Sequence, residues 1–207
     1  MSMLASKEAV SDQDEGEQPR TRMSVFVHPS TDEVPEFTWA RHYYKGSENR
    51  DGIRPWLDKK IFPGSDPRFG CAAKLDVLLP AAASGDLARS GTLVDRYDET
   101  HPQYEKHVMV HVKIMLDDHE PWHAGFERVR SFARAHFADR FATVLIAHVP
   151  AMGGLTGKGN HVHCAVLART LSINGFEGAC RVLCSDQGYE AALTAWRDHK
   201  ESWDAAA

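Results

Sequence analysis

The sequence predicts an α+β fold, a central antiparallel β-sheet covered by helices, and three observations carry that prediction. His107–Leu116 alternates, with Val108, Val110, Val112, Ile114 and Leu116 on one side and His107, Met109, His111, Lys113 and Met115 on the other. Pro121–Ala138 instead spaces its apolar residues as a helix does, so that Phe126, Val129, Phe132, Ala133 and Phe137 form one stripe. Thr143–Val149 and His161–Ala168 are then two short apolar runs with no helix between them, which favours antiparallel neighbours.

The remaining elements follow in chain order. Residues 1–22 are polar, acidic and aperiodic, the composition of a disordered tail. Met23–His28 is the first strand, closed by Pro29, and Trp39–Tyr44 reads as a short helical segment. Gly46–Gly70 is rich in glycine, proline and charge and reads as a long loop. Lys74–Pro80 is a short apolar run, and Leu93–Lys106 is a polar helix candidate. Asp117 and Asp118 ahead of Pro121 mark the start of the next helix. A glycine-rich stretch, Met152–Asn160, joins the last two apolar runs, and Asn174-Gly175 signals a hairpin. Residues 186–203 form a final amphipathic helix, with Tyr189, Leu193, Trp196 and Lys200 in line. Residues 23–203 are therefore read as one domain without internal repeats, and 204–207 as a short tail.

Composition narrows the class. No apolar run approaches the roughly 18 residues of a membrane span, and no basic-then-apolar leader opens the chain, so a cytoplasmic protein is expected. Cys71, Cys164, Cys180 and Cys184 show neither CxxC nor zinc-ribbon spacing and are read as reduced thiols. The net charge of −5 includes two basic and five acidic residues within positions 1–20, so the remainder is close to balanced and leaves room for a basic patch.

The chemistry centres on His161-Val162-His163. Strand alternation puts both imidazoles on one face, and His148 ends the preceding run. Two adjacent strands can thus aim three neutral imidazoles at one point, a site for a divalent cation. Without a carboxylate ligand, such an ion keeps open positions and can polarise a phosphoryl or carbonyl oxygen or acidify a water. Gly157-Lys158-Gly159-Asn160 lacks GxxxxGK[ST] spacing and precedes a strand, which excludes a nucleotide phosphate loop, although Lys158 can reach a phosphate.

Val129–Arg140, Ile146–Pro150, Gly159–Arg169, Asn174–Phe176 and Leu193–Arg197, in that order and spacing, resemble the MobA/MobL plasmid-mobilisation relaxases of the HUH endonuclease superfamily. A fainter likeness runs upstream through Leu78-Leu-Pro80 and Leu93 to His107–Leu116. The resemblance implies an HUH relaxase-like sandwich and site- and strand-specific DNA nicking by metal-assisted tyrosine transesterification. It implies that His148, His161 and His163 hold Mg²⁺ or Mn²⁺, and that an N-terminal tyrosine attacks to leave a 5′-phosphotyrosyl link and a free 3′-hydroxyl. Tyr44, in Tyr44-Lys-Gly-Ser-Glu48, is the expected nucleophile, with adjacent Tyr43 the alternative. His111 stands where many relatives carry a carboxylate, as a fourth ligand or as the base for the tyrosine proton. DNA contacts are expected from Arg41, Lys45, Arg50, Arg54, Lys59, Lys60, Lys158 and Arg169. The implied partners are single-stranded DNA at a transfer origin and accessory mobilisation proteins, with no membrane. Two alternatives stand beside this reading: a non-catalytic metal- and DNA-binding relaxase homologue, and a His₃-metal phosphoesterase.

Overall fold

The computed structural model describes residues 20–64, 72–153, 155 and 159–206. Within them one antiparallel sheet is built from β1 (Ser24–Val27), β2 (Phe37–Tyr43), β3 (Lys74–Leu78), β4 (His107–Met115), β5 (Phe141–His148), β6 (His161–Ser172) and β7 (Gly175–Ala179). The strand order is β1-β2-β4-β6-β5-β3, and β7 pairs with the far end of β6. Four helices accompany it: α1 (Arg54–Ile61), α2 (Ser90–Glu99), α3 (Trp122–His136) and α4 (Asp186–Ala206). The α+β prediction holds.

Alternation along the central strands sorts the core into two layers. Val110, Val112, Ile114, Val162, Cys164 and Val166 pack against Phe126, Val129 and Phe132 of α3 and against Leu193 and Trp196 of α4. On the opposite face Met109, Val144, Ile146, Ala165 and Leu167 pack with Leu57 of α1 and with Leu93, Val94 and Tyr97 of α2. Burying both faces makes β5 and β6 near-continuous apolar runs. The β6–β7 hairpin turns at Gly175, whose φ of +97° lies where a residue with a Cβ is strained.

The structure departs from the sequence reading in five places. Trp39–Tyr44 is strand, not helix. Phe37 and Trp39 are buried on the α3/α4 side while Ala40 and His42 are buried as well, so β2 lacks the polar face that announces a strand. Gly46–Gly70 contains α1, whose first turn carries Pro55 and whose buried contact is Leu57, too short an element to show a period. The helix expected at Leu93–Lys106 starts at Ser90 and stops at Glu99, ahead of Pro102. At the N-terminus residues 1–19 lie outside the described ones, whereas Thr21 bridges Arg50 and accepts a hydrogen bond from the Asp51 amide, which ties this end of the tail to the domain. At the other end α4 continues past residue 203 to Ala206.

Cys164, Cys180 and Cys184 are free thiols, and Cys71 lies outside the described residues. Among the described residues no helix is long and apolar enough to cross a membrane.

Candidate metal centre

β5 ends on His148, and the chain re-enters the sheet at His161 of β6. The ladder pairs His148 directly with His161 and Ile146 with His163, so all three imidazoles share the α1/α2 face at the sheet rim. One nitrogen from each lies within 4.8 Å of the others. The ring centroids are 5.1, 4.8 and 4.9 Å apart, and the rings stand 79–83° to one another.

The second nitrogen of each ring is already engaged. His148 Nε2 donates to the Lys60 carbonyl at 2.6 Å, and His161 Nδ1 donates to the Gly159 carbonyl at 3.0 Å. Carbonyls only accept, so His148 Nδ1 and His161 Nε2 carry the lone pairs. His163 Nδ1 lies 2.7 Å from His111 Nε2, and when His163 donates there its own Nε2 is the third lone pair. Three ring nitrogens, one from each histidine, no more than 4.8 Å apart share a point within about 2.8 Å of each, a fraction of an ångström outside ordinary metal–nitrogen distances. The residues fit a divalent cation.

Electrostatics keep the donors neutral. Burial holds His148 below the ordinary histidine value, and burial followed by the charges of neighbouring groups lowers His161 to about 4. His163 and His111 are pushed much further down, again by burial first. Proton-free imidazole is the form that ligates.

Two further aromatic groups complete the surroundings. His42 on β2 is buried, its Nε2 has no hydrogen-bond partner among the described residues, and burial lowers its pKa to about 4. Its ring lies 5.5 Å from Trp56 of α1 and 6.0 Å from His111, while Trp56 lies 5.0 Å from His111. Five histidines from four strands thus form one continuous group. The charged side chains acting on it are lysines: Lys60 on all five, and Lys113 on His111 and His161. Neutral imidazoles would leave a bound ion its full positive charge, and with two lysines nearby the site would attract anions.

The other sequence-predicted residues are placed elsewhere. Tyr43 pairs with His107 while His163 pairs with Lys113, six residues along β4, so the tyrosine end of β2 is about 20 Å from the triad. Tyr44 is buried there, with the Arg50 guanidinium 4.4 Å above its ring, beside a small cavity it shares with Asp98 and His101. Burial and the Asp98 charge push its hydroxyl up to about 12, the reverse of what a nucleophile needs. Tyr97 is in the core, Tyr104 is exposed just ahead of β4, and Tyr189 packs beneath the opposite face. The register thus places Tyr43 and Tyr44 toward the opposite end of the sheet from the triad.

The arginines are drawn into the fold. Arg41 donates to the Cys184 carbonyl and to Asp186, and Arg50 to the carbonyls of Gly46, Pro102, Gln103 and Glu105. Arg54 pairs with Asp95, and Arg169, 5% exposed, donates to Thr100, Phe176 and Glu177. Lys45 and Lys59 are exposed, and Lys158 lies outside the described residues. His111 is brought to the site, as the partner of a ligand nitrogen. Trp56 and His42 were missed in the sequence. The Trp56–Lys60 spacing of four residues was the available signal, legible only once α1 is known to be a helix.

No family model and no curated protein matches this sequence. Among solved structures the fold is similar to one from work on the molecular basis of vancomycin resistance transfer in Staphylococcus aureus, with a TM-score of 0.52 and 16% identity over 63% of this chain and 68% of that one. At that identity the likeness shows a shared fold.

Proposed function

We propose that this chain binds a divalent cation through His148, His161 and His163 and uses it on a phosphodiester of single-stranded DNA, as a relaxase-type nicking domain in the transfer of a plasmid or mobile element. The observation that carries this reading is the convergence of three imidazoles whose other nitrogens are already fixed by Lys60, Gly159 and His111. The fold shared with a structure from resistance transfer supports the biological setting. When bound, the cation would supply positive charge to a phosphoryl oxygen of the DNA. The chain's own part is to hold the donors neutral and oriented and to offer no competing carboxylate among the described groups that act on them. All-nitrogen donors suit Mn²⁺ better than Mg²⁺, which prefers oxygen.

A second reading has a specific observation behind it. Tyr43 and Tyr44 stand about 20 Å from the triad, which favours a domain that engages or cuts the phosphodiester without a tyrosine link. Incubation with Mn²⁺ and single-stranded DNA from the protein's own locus, followed by a denaturing gel, separates the readings. A slow covalent band lost in Tyr44→Phe or Tyr43→Phe supports tyrosine transesterification. A nick without such a band supports a phosphoesterase, and retention without a nick supports a binding homologue. A protein that takes up no Mn²⁺ and leaves the DNA unbound overturns the proposal.

A further inference from the structure

The triad is bracketed by two lysines. Lys113 lies directly across the ladder from His163, and its odd position on β4 puts it on the triad's face with His111. On the other side the backbone carbonyl of Lys60 holds His148, and its ammonium group acts on all five histidines. Both lysines are half-buried, and neither has a carboxylate partner among the described residues. Two half-buried cations beside neutral ligands favour an anion in the space they share.

Trp56 adds a flat face to this arrangement. It stands one turn before Lys60 on α1, half-buried, with the Lys60 Nζ 5.6 Å from its ring centre. The ammonium thus lies over the indole ring, which itself stands 5.0 Å from His111. A backbone phosphate that draws this ammonium aside uncovers the indole for the adjoining unstacked base, whereas a duplex keeps its bases inside the stack and an inorganic anion has no base at all.

We infer that Lys60 and Lys113 form a phosphate subsite flanking the histidine triad, with Trp56 as the stacking platform for the adjoining base, so that the ligand of this site is an unpaired polynucleotide strand. This rests on the proposed function and extends it from a metal and one phosphate to a strand of at least two phosphates and a base. α1, read in the sequence as loop, becomes the element that grips the strand.

The test is fluorescence anisotropy with labelled single-stranded oligo(dT), its duplex with oligo(dA), and inorganic phosphate as competitor, alongside Mn²⁺ titration of the same proteins. Lys60→Gln leaves the carbonyl that holds His148 untouched and Lys113→Gln leaves the β4–β6 ladder intact, so the three imidazoles stay in place, and the Mn²⁺ titration of each variant verifies it. Each lysine variant is expected to bind oligo(dT) about tenfold more weakly, with the salt dependence reduced by about 0.7 per charge removed. Trp56→Leu is expected to weaken oligo(dT) about tenfold while leaving the salt dependence as it was. Wild-type affinity and salt slope in Lys60→Gln and Lys113→Gln, with Mn²⁺ bound normally, overturn the subsite and leave the metal reading standing. Equal affinity for duplex and single strand, or full competition by inorganic phosphate at the concentration of the strand, overturns the strand assignment. Failure of the wild-type protein to bind Mn²⁺ at all removes the proposed function beneath it, and this inference with it.

Discussion

His111→Phe is the most discriminating perturbation of this site. Of the three candidate ligands, His148 and His161 are oriented by backbone carbonyls that no side-chain substitution removes, while His163 depends on the His111 ring at 2.7 Å. Phenylalanine fills the space among Trp56, His42 and His163 but accepts no hydrogen bond, leaving the buried Nδ1–H of His163 unpaired. Losing such an outer partner weakens metal binding about 10- to 100-fold, or roughly 1.4–2.8 kcal/mol. Isothermal titration with Mn²⁺, with circular dichroism to confirm the fold, reads this directly. His111→Gln restores an acceptor and should recover most of the affinity, whereas His163→Ala removes a ligand and should lose more than either. An affinity in His111→Phe within twofold of the wild type would refute the assignment of His111 as the group that orients His163.

Three other outcomes follow from the same structure. His42, His101, His111, His136, His148, His161 and His163 are all held below the ordinary histidine value, chiefly by burial, so below pH 6.5 the unfolded chain binds more protons and stability falls with the pH. His42, with its pKa near 4, alone accounts for a loss of about 2 kcal/mol by pH 5, only partly offset by Asp98, whose pKa near 6 gives stability back between pH 6 and 4; an unchanged urea midpoint in the metal-free protein between pH 7 and 5 contradicts this. Gly52→Ala puts a Cβ 2.2 Å from the Asp98 carboxylate at a φ of +73°, displacing the group that caps α1 at the Ile53 amide, and should cost about 2 kcal/mol in urea denaturation. Arg169→Met leaves the carbonyls of Thr100, Phe176 and Glu177 without their donor and should destabilise by about 3 kcal/mol, while oligo(dT) affinity in the folded fraction stays at the wild-type level.

Local pattern alone was enough for β4, for α3 and for the three histidines. Each rests on residues two to four apart, where side-chain direction follows from backbone geometry: His161 and His163 share a face because strands alternate, and Phe126, Val129 and Phe132 share a stripe because helices repeat. β2 and α1 escaped because burial on both faces erased the alternation of one and eight residues gave the other too few turns to show a period. The arginines show the same limit: Arg50 and Arg169 read as surface charge until the carbonyls that hold them are seen. Tyr44 lies near the triad neither in sequence nor in space, because the antiparallel register of β2 on β4 carries it to the opposite end of the sheet. What the fold supplied was long-range partnership. His111 meets His163 across 52 residues, as a diagonal pair set by strand register, and Lys60 meets His148 across 88, because Leu57 buries α1 against that face of the sheet. Neither distance leaves a trace in a local period, since chain positions so far apart are brought together by burial and hydrogen-bond register rather than by backbone geometry.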